Sequence, residues 1–471
     1  MVIKWAGDLL RGVMDETADD VMSKIMQDRY TDNLLTGLSV AKKCGFQNLM
    51  EVEMRAAQGT TLERPLGSSL KMSAWEALLF NPVHLHRFPV ENMEQVNMGV
   101  TIGPQAKRPL KLDIPIFIAG MSYGSALSAA AKIALARAAS ALGTATNTGE
   151  AGLLPEEREE AAKLIGQYNR GGYLNVPEKY KKLDAIEIQL GQGAQGNAPQ
   201  RTQVKFIDDK MRTVFGLKEG QDSVLNSRIP GINSSEDFIN TVRRLRKEVD
   251  VPVGVKMAAT HHLEKELDVA AEAGVDFISV DGAEGGTHGS TPTLQDDLGL
   301  SSIYAIARAR RHLKRLGLTD KVSLLAGGGL ITPGQFLKAL ALGADAVYIG
   351  TVAMLALVAQ QITKVTPGET PMQLVLQTGR YKKEFDIDLG TQNLVNFLIL
   401  AVEEMTSVMV TLGHTDLSKL NTSDLCCMDP FLAQALGVQY GGIAPTEQED
   451  YYRGLFAGYW VEETPEEYML Q

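Results

Sequence analysis

Cysteine is scarce in this chain. Only Cys44, Cys426 and Cys427 occur among 471 residues, and no CxxC pair is present. This count excludes a disulfide framework. Cys426 and Cys427 are adjacent, and without other thiol ligands they make a poor zinc site. The cysteine usage therefore predicts no bound metal and a reducing, cytoplasmic compartment.

An excess of positive charge and long apolar runs are also lacking. The formal net charge is -11, which argues against nucleic acid or an anionic membrane as the main partner. Apolar runs such as residues 352–359 are too short to span a bilayer. The first residues, MVIKWAGDLLRGV, lack the apolar core of a signal peptide. We therefore expect a globular protein with a small-molecule partner, and neither a nucleic-acid nor a membrane partner.

Eight short, mostly apolar runs follow one another from residue 114 onward, separated by helical patterns or long loops. Such a series favours a parallel (β/α)8 TIM barrel over an open sheet. The predicted strands cover residues 114–120, 143–149, 173–176, 185–190, 251–257, 276–281, 322–326 and 346–349.

The rest of the chain has a different character. Residues 1–110 show helical spacing and irregular stretches, and we expect this lead-in to pack around the barrel or to form a homo-oligomer contact. We predict that the barrel covers residues 111–360 and that residues 361–471 form a helical extension and tail. The acidic and aromatic tail from Tyr440 could dock on another subunit or be partly disordered.

The two last predicted strands are each followed by glycine. Gly327, Gly328 and Gly329 follow strand seven, and Gly350 with Thr351 opens a helix after strand eight. In a barrel, these two loops present free backbone amides to an anion such as phosphate. The alternative is an ordinary βαβ unit whose glycines serve only the turns. Residues 191–196, GQGAQG, are no dinucleotide fingerprint, because no apolar helix follows them.

Polar side chains stand at the ends of the predicted strands, where a barrel concentrates its working residues. Lys256 lies inside an apolar strand, and a buried lysine is costly unless it meets a ligand or a carboxylate. It is either a cation held against an electron-rich ring or oxyanion, or a structural partner of Asp281 or Glu187. Glu150 is either a proton donor or substrate anchor, or a solvated loop carboxylate. His288 is either a general acid or a histidine that lies on the surface or supports the site from behind.

Five motifs together carry a family resemblance. They are GMSYGSALS (120–128), GTATNTGEAGLLPEEREEA (143–161), AIEIQLGQGA (185–194), VDGAEGGTHG (280–289) and ALALGADAVYIGT (339–351). Over residues 60–437 the chain resembles the FMN-binding synthase domain of glutamate synthases, and most of all the stand-alone glutamate-synthase-like proteins. The resemblance implies an oxidoreductase acting on CH-NH2 donors. Its FMN would reduce 2-iminoglutarate, formed from 2-oxoglutarate and ammonia.

The resemblance also implies roles for individual residues. Catalytic roles fall to Glu150, Lys256 and His288. Substrate contacts fall to Gln189, Glu150 and Thr287. The implied FMN contacts are Met121, Ser122, Asn147, Gln192, Lys256 and Gly286, with the phosphate on Gly328, Gly329, Gly350 and Thr351.

Departures from the family pattern limit what the resemblance implies. The stretch TVAMLALVAQQITKVTPGET lacks the cysteine triplet of a 3Fe-4S cluster, so we expect no iron–sulfur cluster. Gln189 and Gln195 replace two lysines that could hold a dicarboxylate. Electrons would reach the flavin from NAD(P)H, a partner reductase or the substrate. Two alternatives stay open: another substrate, such as a 2-hydroxy acid or an amine, and a non-catalytic flavin-binding subunit.

Overall fold

The computed structural model describes residues 2–456. The chain divides into two compact units, residues 1–63 and residues 64–471. The first unit contains the helices Val2–Gln27, Leu34–Cys44 and Phe46–Gln58. The last of these ends at Gly59, whose φ of 61° suits a left-handed C-cap. The helical lead-in is thus confirmed, while the segment boundaries at residues 110 and 360 stay predictions.

The second unit is built on eight parallel strands, which we label β1 to β8. Neighbouring strands pair in the order β1-β8-β7-β6-β5-β4-β3-β2. The ring closes between β1 and β2, where the Ile118 amide donates to the Ala145 carbonyl at 2.9 Å. The predicted (β/α)8 barrel is confirmed. Its strands are β1 Ile116–Ile118, β2 Thr146–Asn147, β3 Leu164–Tyr168, β4 Ala185–Gln189, β5 Val253–Ala258, β6 Phe277–Asp281, β7 Ser323–Gly327 and β8 Ala346–Ile349.

The third strand differs from the sequence-based prediction. Residues 173–176 form a turn, and β3 is Leu164–Tyr168 instead. The helix that begins at Pro155 ends at Glu160, which leaves room for this strand. The error matters because β3 and the loop after it carry residues that reach the functional end of the barrel.

Helices and short strands surround the barrel. The helices are Ala129–Ala141, Pro155–Glu160, Pro177–Tyr180, Asp209–Phe215, Ser235–Glu248, Leu263–Ala273, Pro292–Asp296, Ser302–Arg315, Pro333–Ala341, Thr351–Val358, Ile387–Leu412, Pro430–Leu436 and Gln448–Phe456. The short strands are Leu78–Phe80, Val100–Ile102, Leu110–Leu112, Gln200–Thr202, Ser223–Leu225, Leu425–Cys427 and Gln439–Tyr440. Several helices begin with a side-chain cap. The Ser234 hydroxyl, for example, accepts a hydrogen bond from the Asp237 amide at 3.1 Å.

Apolar side chains fill the barrel towards the N-terminal ends of its strands. Phe117, Ile165 and Phe277 pack there with the hairpin Val100–Ile102 and Leu110–Leu112. This hairpin plugs the bottom of the barrel. Polar groups lie at the opposite, C-terminal end of the strands, where barrel enzymes have their active sites.

The helix Ile387–Leu412 is long and apolar. By length and composition alone it could cross a membrane, and 33% of its most apolar window is buried in the protein. Asp386 caps its first turn and Gly413 ends it. Its buried side chains, such as Leu398 and Met405, belong to the same hydrophobic cluster as the helix Ala129–Ala141. The helix therefore serves as part of the outer layer of the barrel.

Candidate active site

A cavity of about 470 Å³ opens at the C-terminal ends of the barrel strands. Its size is in the range of small-molecule and cofactor sites. Every strand of the barrel, or the loop after it, contributes to its wall. The predicted site residues that line it are Met121, Ser122, Glu150, Gln192, Lys256, Gly286, Thr287, His288, Gly328, Gly329, Gly350 and Thr351.

Two predicted contact residues do not line the cavity. Asn147 and Gln189 are enclosed by the protein, at 1% and 0% relative exposure. The Asn147 amide donates to Glu187 at 3.0 Å, and its oxygen accepts from the Gly149 amide at 2.9 Å. Gln189 donates to Gln192, which does line the cavity, at 3.4 Å. Both side chains therefore support the wall from behind.

Buried charges below the cavity are compensated by neighbouring groups. Glu187 accepts hydrogen bonds from Asn147, from Gln167 at 2.9 Å and from Ser279 at 2.6 Å. The Lys256 ammonium lies 3.6 Å from Asp281 and 4.8 Å from the centre of the Tyr348 ring. Lys256 thus has a structural partner and also faces the cavity, so both interpretations of this residue are compatible with the geometry.

Tyr348 lies near the end of β8. Burial and the nearby charges of Asp281 and Glu187 raise the pKa of its phenol well above 10.0. The hydroxyl therefore stays protonated and can donate a hydrogen bond. A Cβ at Gly327 would overlap the ring, so glycine on β7 makes room for it.

Glu150 is held by an arginine that the sequence analysis missed. Arg170 is fully buried and donates to both carboxylate oxygens, at 2.8 Å and 2.6 Å. A further N–H of Arg170 donates to the Ala198 carbonyl at 2.9 Å. This bidentate pair joins the loops after β2, β3 and β4. Arg170 was missed because it follows the strand that the sequence analysis misplaced.

Glycines after β6, β7 and β8 form a cradle on one side of the cavity. Gly328 and Gly329 have φ values of 107° and 67°, which other residues rarely adopt. The helix Thr351–Val358 begins beside them, and its first amides have no acceptor within the helix. A Cβ at Gly286 would stand 2.6 Å from the Thr351 hydroxyl and fill this space. Free amides and reserved space suit a phosphate group.

One wall of the cavity comes from the segment 64–76, to which the sequence analysis gave no chemistry. The Arg64 guanidinium and the Ser68 hydroxyl both reach Asp296, each at 2.6 Å. The Leu66 amide donates to the Thr287 carbonyl at 3.0 Å. The segment is thus fastened to the loop after β6. The sequence signal was weak, because the segment has no regular periodicity.

Solved structures share this architecture. A double mutant of flavocytochrome b2 with sulfite bound superposes with a TM-score of 0.51 and 15% identity, covering 85% of this chain and 87% of that chain. The same double mutant with pyruvate bound gives a TM-score of 0.50 and 16% identity, covering 85% and 86%. At this identity the likeness concerns the fold alone.

Sequence relatives are more informative. The "Glutamate synthase large subunit-like protein" of Rhizobium meliloti is 32% identical over 400 residues, which cover 81% of this chain and 90% of the relative. The "Archaeal glutamate synthase (NADPH)" of Methanocaldococcus jannaschii is 33% identical over 66% of this chain, and only 61% of its own length is matched. The family described as "Conserved region in glutamate synthase" matches residues 73–415. The chain therefore belongs to the glutamate synthase family, as its motifs predicted.

Proposed function

We propose that this chain is an FMN-dependent oxidoreductase that reduces an imino acid to an amino acid. The imino acid would be 2-iminoglutarate, formed from 2-oxoglutarate and ammonia. The observation that supports this function best is the glycine cradle at the mouth of a glutamate synthase family barrel. When bound, FMN supplies the two-electron hydride chemistry, while the protein orients and tunes it.

The cradle and the strand tips would hold the cofactor at its two ends. Gly328, Gly329, Gly350 and Thr351 would bind the phosphate through their amides. Met121 and Ser122, after β1, would lie against the ring. Gln192 and Lys256 would meet its polar edge, and the ammonium would stabilise negative charge that develops there. Gly286 would keep the cradle open, and Asn147, at the end of β2, would support the cavity wall from behind.

The remaining polar residues would serve the substrate. Glu150 and Thr287 line the cavity, and Gln189 supports the same wall through Gln192. The pair with Arg170 engages both oxygens of Glu150, so Glu150 would position the substrate and the loops. His288 lies half-buried on the wall and would deliver the proton that the new amine takes up.

Purification of the full chain tests the cofactor directly. We expect a yellow protein, or an apoprotein that binds added FMN with one flavin per chain. Turnover of 2-oxoglutarate and ammonia would then be measured with NADPH, with a partner reductase and with an artificial donor. A colourless protein that cannot be reconstituted with FMN would refute the proposal. The electron donor, the absence of an iron–sulfur cluster, a cytoplasmic location and a homo-oligomer stay predictions.

The charge of the cavity favours a second candidate, namely the same flavin chemistry on an amine or a 2-hydroxy acid. A dicarboxylate would meet an excess of carboxylates, to which the FMN phosphate would add. Gln195, a neutral residue, also lines the wall. Reduction assays across keto acids, 2-hydroxy acids and primary amines separate the candidates. Among the charged Asp, Glu and Lys side chains that line the cavity, the carboxylates are Glu76, Glu150, Asp281 and Glu284, and the ammonium groups are Lys71 and Lys256.

A further inference from the structure

A buried lysine stands behind the loops that follow β1 and β2. Lys132 lies on the helix Ala129–Ala141, with 0% of its side chain exposed. Its ammonium donates to the carbonyls of Met121 and Asn147, both at 2.7 Å. It also lies 2.8 Å from Glu157, whose side chain is 1% exposed. The two carbonyls thus accept hydrogen bonds from the ammonium, and Glu157 is its ion-pair partner.

Lys132 lies where the barrel ring closes between β1 and β2, which we call the seam of the barrel. Met121 follows β1 and Asn147 ends β2, the two strands between which the ring closes. The direct contact there includes an isolated bridge between Gly120 and Asn147. Lys132 therefore ties the functional ends of these strands together from the helix layer.

Stability is a weak explanation for this arrangement. A buried ion pair pays a large desolvation penalty, and well-packed apolar side chains of similar volume often stabilise a protein as well or better. Burial raises the pKa of the Glu157 carboxyl and outweighs the opposing charge of Lys132. What apolar residues could not supply is the pair of hydrogen bonds to Met121 and Asn147.

These bonds fix the orientation of a peptide group at the cavity. In a trans peptide the carbonyl and the following N–H point in opposite directions. Because the Met121 carbonyl points towards Lys132 in the helix layer, the Ser122 N–H points away from the helix layer. Gly149 lies next to this amide, and a Cβ there would stand 2.5 Å from the Ser122 nitrogen. Glycine at this position therefore lets the loop after β2 pack closely against the Met121–Ser122 peptide.

We propose that Lys132, with Glu157 as its counter-ion, is a positioning residue that holds the Met121–Ser122 peptide in the orientation that the flavin ring requires. This inference rests on the proposed function, because Met121 and Ser122 line the cavity where the ring would lie. Lys132 itself does not line the cavity.

The double variant Lys132→Met with Glu157→Leu removes both charges and keeps most of the volume. We expect it to fold and its FMN dissociation constant to rise by about 10-fold to 100-fold, by analogy with the loss of partners that orient metal-binding side chains. The reduction potential of the flavin, measured at saturating FMN, should also change. A merely structural ion pair would not move that potential.

Three further variants provide the controls. Glu157→Gln keeps the two carbonyl bonds of Lys132 and should bind FMN like the wild type, whereas Lys132→Gln is too short to keep both and should lose affinity. Arg246→Met breaks an ion pair with Asp276, 2.9 Å long, at the opposite end of the barrel. It should lower stability without changing FMN affinity.

The outcomes are distinguishable. A wild-type chain that does not bind FMN would refute the proposed function and this inference with it. A wild-type chain that binds FMN, with a double variant of equal affinity and potential, would refute the inference alone. If the double variant does not fold, Lys132→Gln and Glu157→Gln decide: equal affinities would overturn the positioning role, and loss only in Lys132→Gln would support it.

Discussion

Replacing Lys256 by methionine separates its structural role from its proposed role towards the flavin. The variant leaves Asp281, 6% exposed, without its ammonium partner 3.6 Å away. At an effective dielectric constant of 20, charges at 3.6 Å attract one another by about 4.6 kcal/mol. Breaking a buried pair by removing one partner costs about 3–5 kcal/mol. We therefore expect Lys256→Met to lower the free energy of unfolding by about 3–5 kcal/mol.

The double variant Lys256→Met with Asp281→Asn completes the comparison. Removing both charges should restore most of the lost stability, because no buried charge is left without a partner. The reduction potential of bound FMN should nevertheless fall in both variants, because the cation that stabilises the reduced ring is absent from both. Urea unfolding measures the first quantity, and a redox titration against a reference dye measures the second.

One result would contradict this reasoning. If the double variant recovers the wild-type potential together with the wild-type stability, Lys256 acts only as the structural partner of Asp281. The functional interpretation of Lys256 would then have to be abandoned, although the flavin site itself could still stand.

Two further predictions concern the cradle and the seam. Gly286→Ala places a Cβ 2.6 Å from the Thr351 hydroxyl. Overpacking of about 1–3 kcal/mol should weaken FMN binding by about 5-fold to 150-fold. Gly334→Ala is the control, because a Cβ there would have only one contact, at 3.9 Å. Its affinity for FMN, measured by titration, should equal that of the wild type. Lys132→Met should raise the pKa of Glu157 further above 4.5. A carboxyl whose pKa is raised in the folded state stabilises that state only while it is protonated, so the free energy of unfolding of the variant should fall as the pH rises through this pKa. Urea unfolding should therefore show a greater loss of stability relative to the wild type at pH ~8 than at pH ~5.

The barrel was predictable because most of its strands are apolar on both faces. Residues 346–349 show this pattern, and the structure places β8 at Ala346–Ile349. Turn glycines also marked the functional end, because other residues rarely adopt the φ of 107° found at Gly328. Local sequence therefore carried the information for these elements.

The third strand was not predictable in the same way. Leu164–Tyr168 contains Gly166 and Gln167, which interrupt its apolar run. Gln167 lies on the same face as Ile165, inside the barrel, and donates to Glu187. A polar residue that faces a polar interior has no signal in hydrophobic periodicity, because the periodicity assumes an apolar core.

Contacts between residues far apart in the sequence were also not predictable. The pair of Glu150 with Arg170 joins two loops, and the contacts of Lys132 join a helix to two strand ends. A sequence shows that such charges exist but not which of them meet across the barrel. These pairings appear only once the strand order is known.

The most direct test of the account is a crystal structure of the FMN complex. We predict the phosphate within hydrogen-bonding distance of the amides of Gly328, Gly329, Gly350 and Thr351, and the ring beside Met121 and Ser122. FMN bound elsewhere, or with its phosphate away from these amides, would contradict the assignment of this cavity as a flavin site.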